Sequence, residues 1–348
     1  MNLENIILYT RHELNQATRK RNQETKIGED VQLVKDSTHW EEELKISDAR
    51  FVLLGIPEDI GVRANFGRGG SHTAWKPALE SFLNQQSNHF LKGTDILVLG
   101  HIRTEDLMKT SEQFTQRTQH DVDALRQLVA QLDERVSQVI EKIIQTGKIP
   151  IVIGGGHNNA YGNIKGASRA LNQKINVINC DPHTDFRPLE GRHSGNGFSY
   201  AFREQYLDRY SVFGMHEQYN TGQVLREFMA NPQNLYFSTY EDIFVRENLS
   251  FSKALAQNIG FVKHSPCGVE IDLDAITNVP SSAKTSSGIS PVQARQYIYQ
   301  CGKHLSSLYL HIAEGAPILS HIKADNKTGK LIAYLISDFI KGIGDRSN

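Results

Sequence analysis

The stretch NCDPHTDFRP, Asn179 to Pro188, follows the apolar run of KINVINC and sets Asp181, His183 and Asp185 at every second position. Residues two apart on an extended segment point the same way. A core strand therefore ends in two carboxylates and an imidazole aimed at one place. An unpartnered buried carboxylate costs several kcal/mol. The stretch calls for cations, and the rest of the chain has to supply a frame that gathers them.

Working outward, the pattern recurs twice. IPIVI, from Ile149, runs into GGGH and ends on His157; CGVEI, from Cys267, runs into DLD with Asp272 and Asp274. Taken alone, DxHxD suits a solvated turn, DLD a helix start, and GGGH a phosphate-binding turn. In this order, each at a strand's end, they point to one dinuclear metal centre. The carboxylates of Asp181, Asp185, Asp272 and Asp274 match in charge what two divalent cations neutralise. Oxygen-rich ligation with some imidazole suits Mn²⁺ better than Zn²⁺. Two such ions can share a water and lower its pKa toward neutrality.

The frame reads as strand and helix in alternation. Apolar runs at 51–57, 95–101, 149–157, 175–181, 210–216, 234–240, 267–274 and 306–314 predict strands. Val122, Leu125, Leu128, Val129, Leu132, Val136, Val139, Ile140 and Ile143 recur at helical steps, and Gly147 closes that helix. Further helices are expected over 161–171, after Ser290, and near the C-terminus. Such alternation predicts an α/β fold, a mostly parallel central sheet flanked by helices on both faces. In an open parallel sheet, ligands bind beyond the carboxyl ends of the strands. The first fifty residues are polar and weakly patterned, which suggests an N-terminal arm or appended helix; 51–348 reads as a single domain.

Bulk properties exclude several classes. A net charge of −1 and the lack of a basic run argue against nucleic acid as a partner. No apolar stretch approaches a membrane span, and the N-terminus lacks a signal-peptide layout. Cys180, Cys267 and Cys301 are odd in number and lack CxxC spacing. They are expected as reduced, mostly buried thiols of a cytoplasmic protein.

GGGHNNAYGN, DPHTDFRP and EIDLD together resemble the ureohydrolase family of arginases, agmatinases and formimidoylglutamases, over about 51–316. The resemblance implies a three-layer arginase-like fold with a mostly parallel eight-stranded sheet and two Mn²⁺ per chain. It implies that His157, Asp181, Asp185 and Asp272 hold one ion and Asp181, His183, Asp272 and Asp274 the other. GIPEDIGVRANFGRGG, from Gly55, is most similar to formimidoylglutamases. There Arg63, Asn65 and Arg68 are candidate substrate or interface contacts, or parts of a glycine-bearing turn. HIAEGAP, from His311, resembles the stretch whose acid, here Glu314, receives an amidinium group; a strand-end cap is the alternative. Arg187 is a candidate for a substrate carboxylate or for balancing the acidic site. SGNGF, with Asn196, lies where the family has a substrate loop, and His193 beside it suggests a partly exposed loop residue. Departures are Gly156 where many members carry Asp, and Thr277 and Asn278 where an Asp and a Pro are usual. The stretch that recognises an α-amino group in arginases survives at most as FGMHEQYN.

The resulting expectation is a small-molecule hydrolase of a linear amidine C–N bond, N-formimino-L-glutamate to L-glutamate and formamide, with a place in histidine catabolism. Asp185 and Glu314 are the expected catalytic acids. The resemblance also implies a homo-oligomer. Alternatives are a guanidino hydrolase releasing urea and a metal-holding protein without turnover.

Overall fold

The computed structural model describes residues 5–35, 39–320 and 326–347. Its centre is a nine-stranded sheet: β1 (Ile6–Leu8), β2 (Phe51–Gly55), β3 (Ile96–Ile102), β4 (Ile149–Ile153), β5 (Ile175–Cys180), β6 (Leu207–Met215), β7 (Leu235–Thr239), β8 (Cys267–Asp272) and β9 (Ser307–Ala313). The spatial order is β1-β3-β2-β4-β9-β8-β5-β6-β7. Every pairing is parallel except β1 with β3. The eight expected strands are all present, and β1 makes nine.

Strand residues alternate between two cores, as a pleated sheet covered on both faces requires. Phe51 and Leu53 join one core with Ile178, Cys180, Val269 and Ile271. Val52 and Leu54 join the other with Val177 and Tyr309. The first core is covered by Trp75–Leu83, Phe251–Val262, Pro291–His304 and Lys327–Gly344. Gln119–Gln145 and Asn159–Leu171 cover the second. Gly147, at φ +78°, follows the long helix and donates its N–H to Ile144 at 2.9 Å, which is the left-handed close expected of it.

The first fifty residues, expected as an arm or appended helix, pack more closely than that; positions 1–4 and 36–38 lie outside the described residues. β1 covers the β3 edge, Leu14 and Ile27 enter one core, and Trp40 and Leu44 enter the other. Their apolar residues are spaced too irregularly for one helical or strand period, and the contacts are with distant strands. Cys180, Cys267 and Cys301 are buried and free. No helix among the described residues is long and apolar enough to cross a membrane.

One buried ion pair ties the loop after β5 to the long helix. Arg192 donates to Asp133 at 2.9 Å and to the Asn158 carbonyl at 3.0 Å, and its guanidinium lies 4.7 and 4.8 Å from the rings of Tyr161 and Tyr200. Both charged groups are nearly inaccessible, at 6% for Arg192 and 2% for Asp133. Arg192→Met leaves the buried Asp133 carboxyl without its guanidinium partner, and is expected to lower the unfolding free energy by about 3–5 kcal/mol. Urea unfolding should show the double variant Arg192→Met/Asp133→Leu to be more stable than Arg192→Met alone; equal or greater loss in the double variant contradicts the pairing.

Candidate metal centre

The strand order brings β4, β9, β8 and β5 side by side. Their carboxyl ends are where His157, Glu314, Asp272 and Asp181 emerge, so four distant motifs meet beyond the middle of the sheet. Nδ1 of His157 lies 3.1 Å from Asp181, 3.0 Å from Asp185 and 3.3 Å from Asp272. Nδ1 of His183 lies 3.4 Å from Asp181 and 3.5 Å from Asp274. These atoms form two groups: His157, Asp181, Asp185 and Asp272, and then Asp181, His183 and Asp274. All six residues named from the sequence are therefore gathered. Asp181 belongs to both groups. Asp272 falls in the first, while its Oδ1 accepts the Asp274 N–H at 2.8 Å.

The donor set fits a metal. Nδ1 of His157 and Oδ1 of Asp274 are buried with no hydrogen-bond partner. Buried polar atoms are nearly always paired, and these are among the atoms that a cation would claim. Asp185 and Glu314 hold φ of +45° and +63°, a costly region for residues with a Cβ and one that concentrates at functional sites.

Local backbone supports the ligands. Gly154 and Gly155, at φ +88° and +75°, make the turn that lifts His157 over the sheet. A side chain at Gly155 would strike Asn159 at 2.2 Å and Glu58 at 2.8 Å. Glu58, fully buried, accepts from Gly156 N at 2.8 Å, Asn159 at 2.7 Å and Ile60 N at 2.7 Å. It staples the GIPED loop to the GGGH loop, a role that local sequence does not announce because the partners lie about a hundred positions away. The Gly156 departure also has a steric reason: a Cβ there would meet Asn158 at 2.5 Å and Val62 at 2.8 Å. Thr277 bonds Gly288 O at 2.7 Å, and Asn278 N bonds Thr285 O at 2.8 Å. Those two departures thus shape the loop that carries Ser282.

A cavity of about 420 Å³ opens above the groups. His183, Asp185, Asp272, Asp274 and Glu314 line it, as do Asn65, Arg187, Tyr219 and Ser282. Larger surface hollows, about 540 and 1020 Å³, lie by the N-terminal segment and gather no such set of ligands. Glu314 accepts the His157 N–H at 2.9 Å and the Ser282 hydroxyl at 2.7 Å. Arg187 donates to Asn65 at 2.8 Å.

Three expected substrate contacts are placed elsewhere. Arg63 is spent on Ser111 Oγ and O at 2.7 Å each and Phe114 O at 2.8 Å. Arg68 is exposed and outside the cavity lining. Asn196 is buried; it accepts from Arg192 at 2.5 Å and donates to Gly191 O at 2.8 Å, so it braces the loop from beneath. His193 is fully buried rather than partly exposed, and accepts the Gly195 N–H at 3.1 Å. Burial, then Arg126, Arg187 and Arg192, push its pKa down to about 3. Asn65, a candidate contact from the sequence, does line the cavity, whereas Ser282 and Glu270 were not marked from the sequence as parts of the site. Ser282 sits in a serine-rich loop with no motif, and Glu270 is a charged residue inside a core strand.

A parallel three-layer sheet with acids and imidazoles at its central strand ends defines a metal-dependent hydrolase of the arginase type. A model of the arginase family matches residues 49–341, and the chain belongs to that family. The formimidoylglutamases of Streptococcus gordonii and Streptococcus pyogenes serotype M3 are each 26% identical to it, over 303 and 298 residues. Those matches cover 84% and 82% of this chain and 84% of each relative. Among solved structures, a Trypanosoma cruzi formiminoglutamase with Mn²⁺ superposes with a TM-score of 0.69 at 20% identity, covering 93% of this chain and 99% of that one. Bacillus subtilis formimidoylglutamase gives 0.72 at 16%, with 94% of both chains covered. These superpositions bear on the fold.

Two predictions follow from the geometry. Asp181→Ala removes the shared carboxylate and should lower Mn²⁺ content at both groups, whereas Asp274→Ala should lower it at one; metal analysis showing the same loss for both contradicts the arrangement. The second concerns pH. For His183, burial opposes charge, but Asp181 raises its pKa to about 9. Burial and Asp181 raise Asp185 to about 6, and burial and Asp272 raise Glu314 to about 8. Each group holds its proton in the folded chain after the unfolded chain has released it. Their contribution is full below the unfolded values and is lost as pH rises through about 6, 8 and 9. Metal-free protein should therefore melt lower at pH 9 than at pH 5.5, and Mn²⁺ loading, which displaces those protons, should narrow or reverse the difference. A metal-free melting temperature that rises over this range would contradict the assignment.

Proposed function

We propose that this chain hydrolyses N-formimino-L-glutamate to L-glutamate and formamide, with two Mn²⁺ per chain. The observation that carries the proposal is a single cavity with the acidic groups and Glu314 on its floor and Arg187 on its wall. The formimidoylglutamase names of the relatives support it.

Bound, the two ions supply positive charge that neutralises the carboxylates, polarises the amidine and lowers the pKa of water. The chain's own residues do the rest. Asp181, Asp185, Asp272 and Asp274, with His157 and His183, would hold the ions. Glu314, with its two oxygens fixed by the His157 N–H and Ser282, receives the amidinium N–H groups, since a carboxylate takes two parallel N–H bonds. Asp185, reached from the cavity and beside His157, carries a proton to the leaving amine. Arg187, steadied by Asn65, takes a substrate carboxylate with its fork of donors. A cytoplasmic location, a homo-oligomeric assembly and a role in histidine catabolism belong to the same proposal.

The test is a product assay on Mn²⁺-loaded protein given formiminoglutamate, arginine, agmatine and guanidinobutyrate. Formamide with glutamate is expected; urea as the main product replaces the assignment with a guanidino hydrolase, and no product from any of them removes turnover altogether. Arg187→Ala is expected to raise KM for formiminoglutamate by about 10- to 100-fold, the cost of one charge-assisted bond. Mn²⁺ content should stay the same. An unchanged KM removes Arg187 from substrate recognition.

A further inference from the structure

Beneath the ligands lies a second acidic group that the proposed reaction does not use. Glu270, on β8 two residues before Asp272, is fully buried. Its Oε2 lies 3.4 Å from Nε2 of His157 and 2.6 Å from Nδ1 of His311. Its Oε1 accepts the Tyr309 hydroxyl at 2.8 Å. His311 faces Glu270 directly across the β8–β9 pairing, and its Nε2 lies 3.3 Å from the Gly154 carbonyl at the foot of the GGGH turn. The contacts of this carboxylate with Tyr309 and His311 are therefore fixed by the sheet itself.

His157, Glu270 and His311 also form a group close enough to resemble a third metal site. The 2.6 Å contact argues otherwise. Ligand atoms about 2.1 Å from one ion and at right angles stand about 3 Å apart, whereas 2.6 Å is the length of a charge-assisted hydrogen bond. Glu270 is engaged by Tyr309 and His311, and the one partly unused direction points at His157. Metal-ligating histidines commonly donate their second ring N–H to a carboxylate, which fixes ring orientation and strengthens the ligating nitrogen.

We infer that Glu270 is a positioning residue for the metal centre: clamped by His311 and Tyr309, it takes the Nε2–H of His157 and so turns Nδ1 toward Asp181, Asp185 and Asp272. The inference rests on the metal assignment made above. It touches one ion's ligands. His183 and Asp274, at the other group, have no contact with Glu270 shorter than the distances given. Glu270 also lies outside the cavity lining, so substrate affinity is not its business.

The test is Mn²⁺ titration of the purified full chain and of Glu270→Gln, read by competition with a chelating dye and by electron paramagnetic resonance. Glu270→Gln should weaken one of the two sites by about 10- to 100-fold and leave the other unchanged. Excess Mn²⁺ should restore kcat, and KM for substrate should stay constant. Where Glu270→Gln fails to fold, Tyr309→Phe loosens the clamp by one hydrogen bond and should weaken the same site by up to about tenfold. Unchanged affinity at both sites, or equal loss at both, overturns the role of Glu270. A wild-type chain that binds no Mn²⁺ overturns the metal assignment and this inference together.

Discussion

Mutual repulsion among Asp181, Asp185, Asp272 and Asp274 is the constraint around which the molecule is arranged. These carboxylates lie within a few ångströms of one another in a site shielded from water, where charge is poorly screened. Burial, then Asp272 and Asp181, push the Asp274 carboxyl well above the usual range. The surrounding protein cannot relax this by turning side chains away, because the strands that bear them are covered on both faces. The two histidines answer part of the charge, and divalent cations answer the rest. Hydrogen bonds to Asp181 from Asn179 at 3.0 Å and from the His183 N–H at 2.7 Å hold its two oxygens apart, so that each faces a different group.

Support for this cluster is supplied in tiers. Glu58 fixes the turn that carries His157, Arg192 fixes the loop after Asp185, and the Glu314 carboxylate is held by a backbone N–H on one side and Ser282 on the other. Each of these braces is itself buried or anchored to a strand end. A site that must hold ligands to a fraction of an ångström gains more from such rigid scaffolding than from flexible surface loops. The same logic explains why Asn196, in a loop where substrate contact was expected, faces inward: its amide completes Arg192 and the Gly191 carbonyl, leaving Arg187 and Asn65 to face the cavity.

How much could be read from the chain alone follows from the range of each interaction. DPHTD, GGGH and DLD are local patterns on apolar strands, so the six residues that gather at the candidate centre and the eight parallel strands were legible. The order of those strands was not, because nothing local tells β4 that its neighbour is β9 rather than β5. Arg63 and Arg187 look alike in sequence. Their difference lies in Ser111 and Phe114, which present carbonyl and hydroxyl oxygens to Arg63 from a segment some fifty positions away. Glu270 is a charged residue on an apolar core strand, and its meaning required His311 opposite. The N-terminal fifty residues misled because their apolar side chains are scattered between two cores instead of forming one stripe.

The insertion of β9 between β4 and β8 has a consequence for how the chain comes to be active. Ile151 pairs with Leu310 and Val269 pairs with Leu310 from the other side, so the two halves of the sheet are joined through a strand that follows them both in the chain. Before Ser307–Ala313 enters, no strand pairing joins the half of the sheet that carries His157 to the half that carries Asp181 and Asp272. Such long-range closure is slow, since loop entropy is lost before contacts are gained. An incomplete chain can therefore present single motifs to a cation but cannot enclose it. Enclosure of the metal groups is thereby coupled to closure of the sheet.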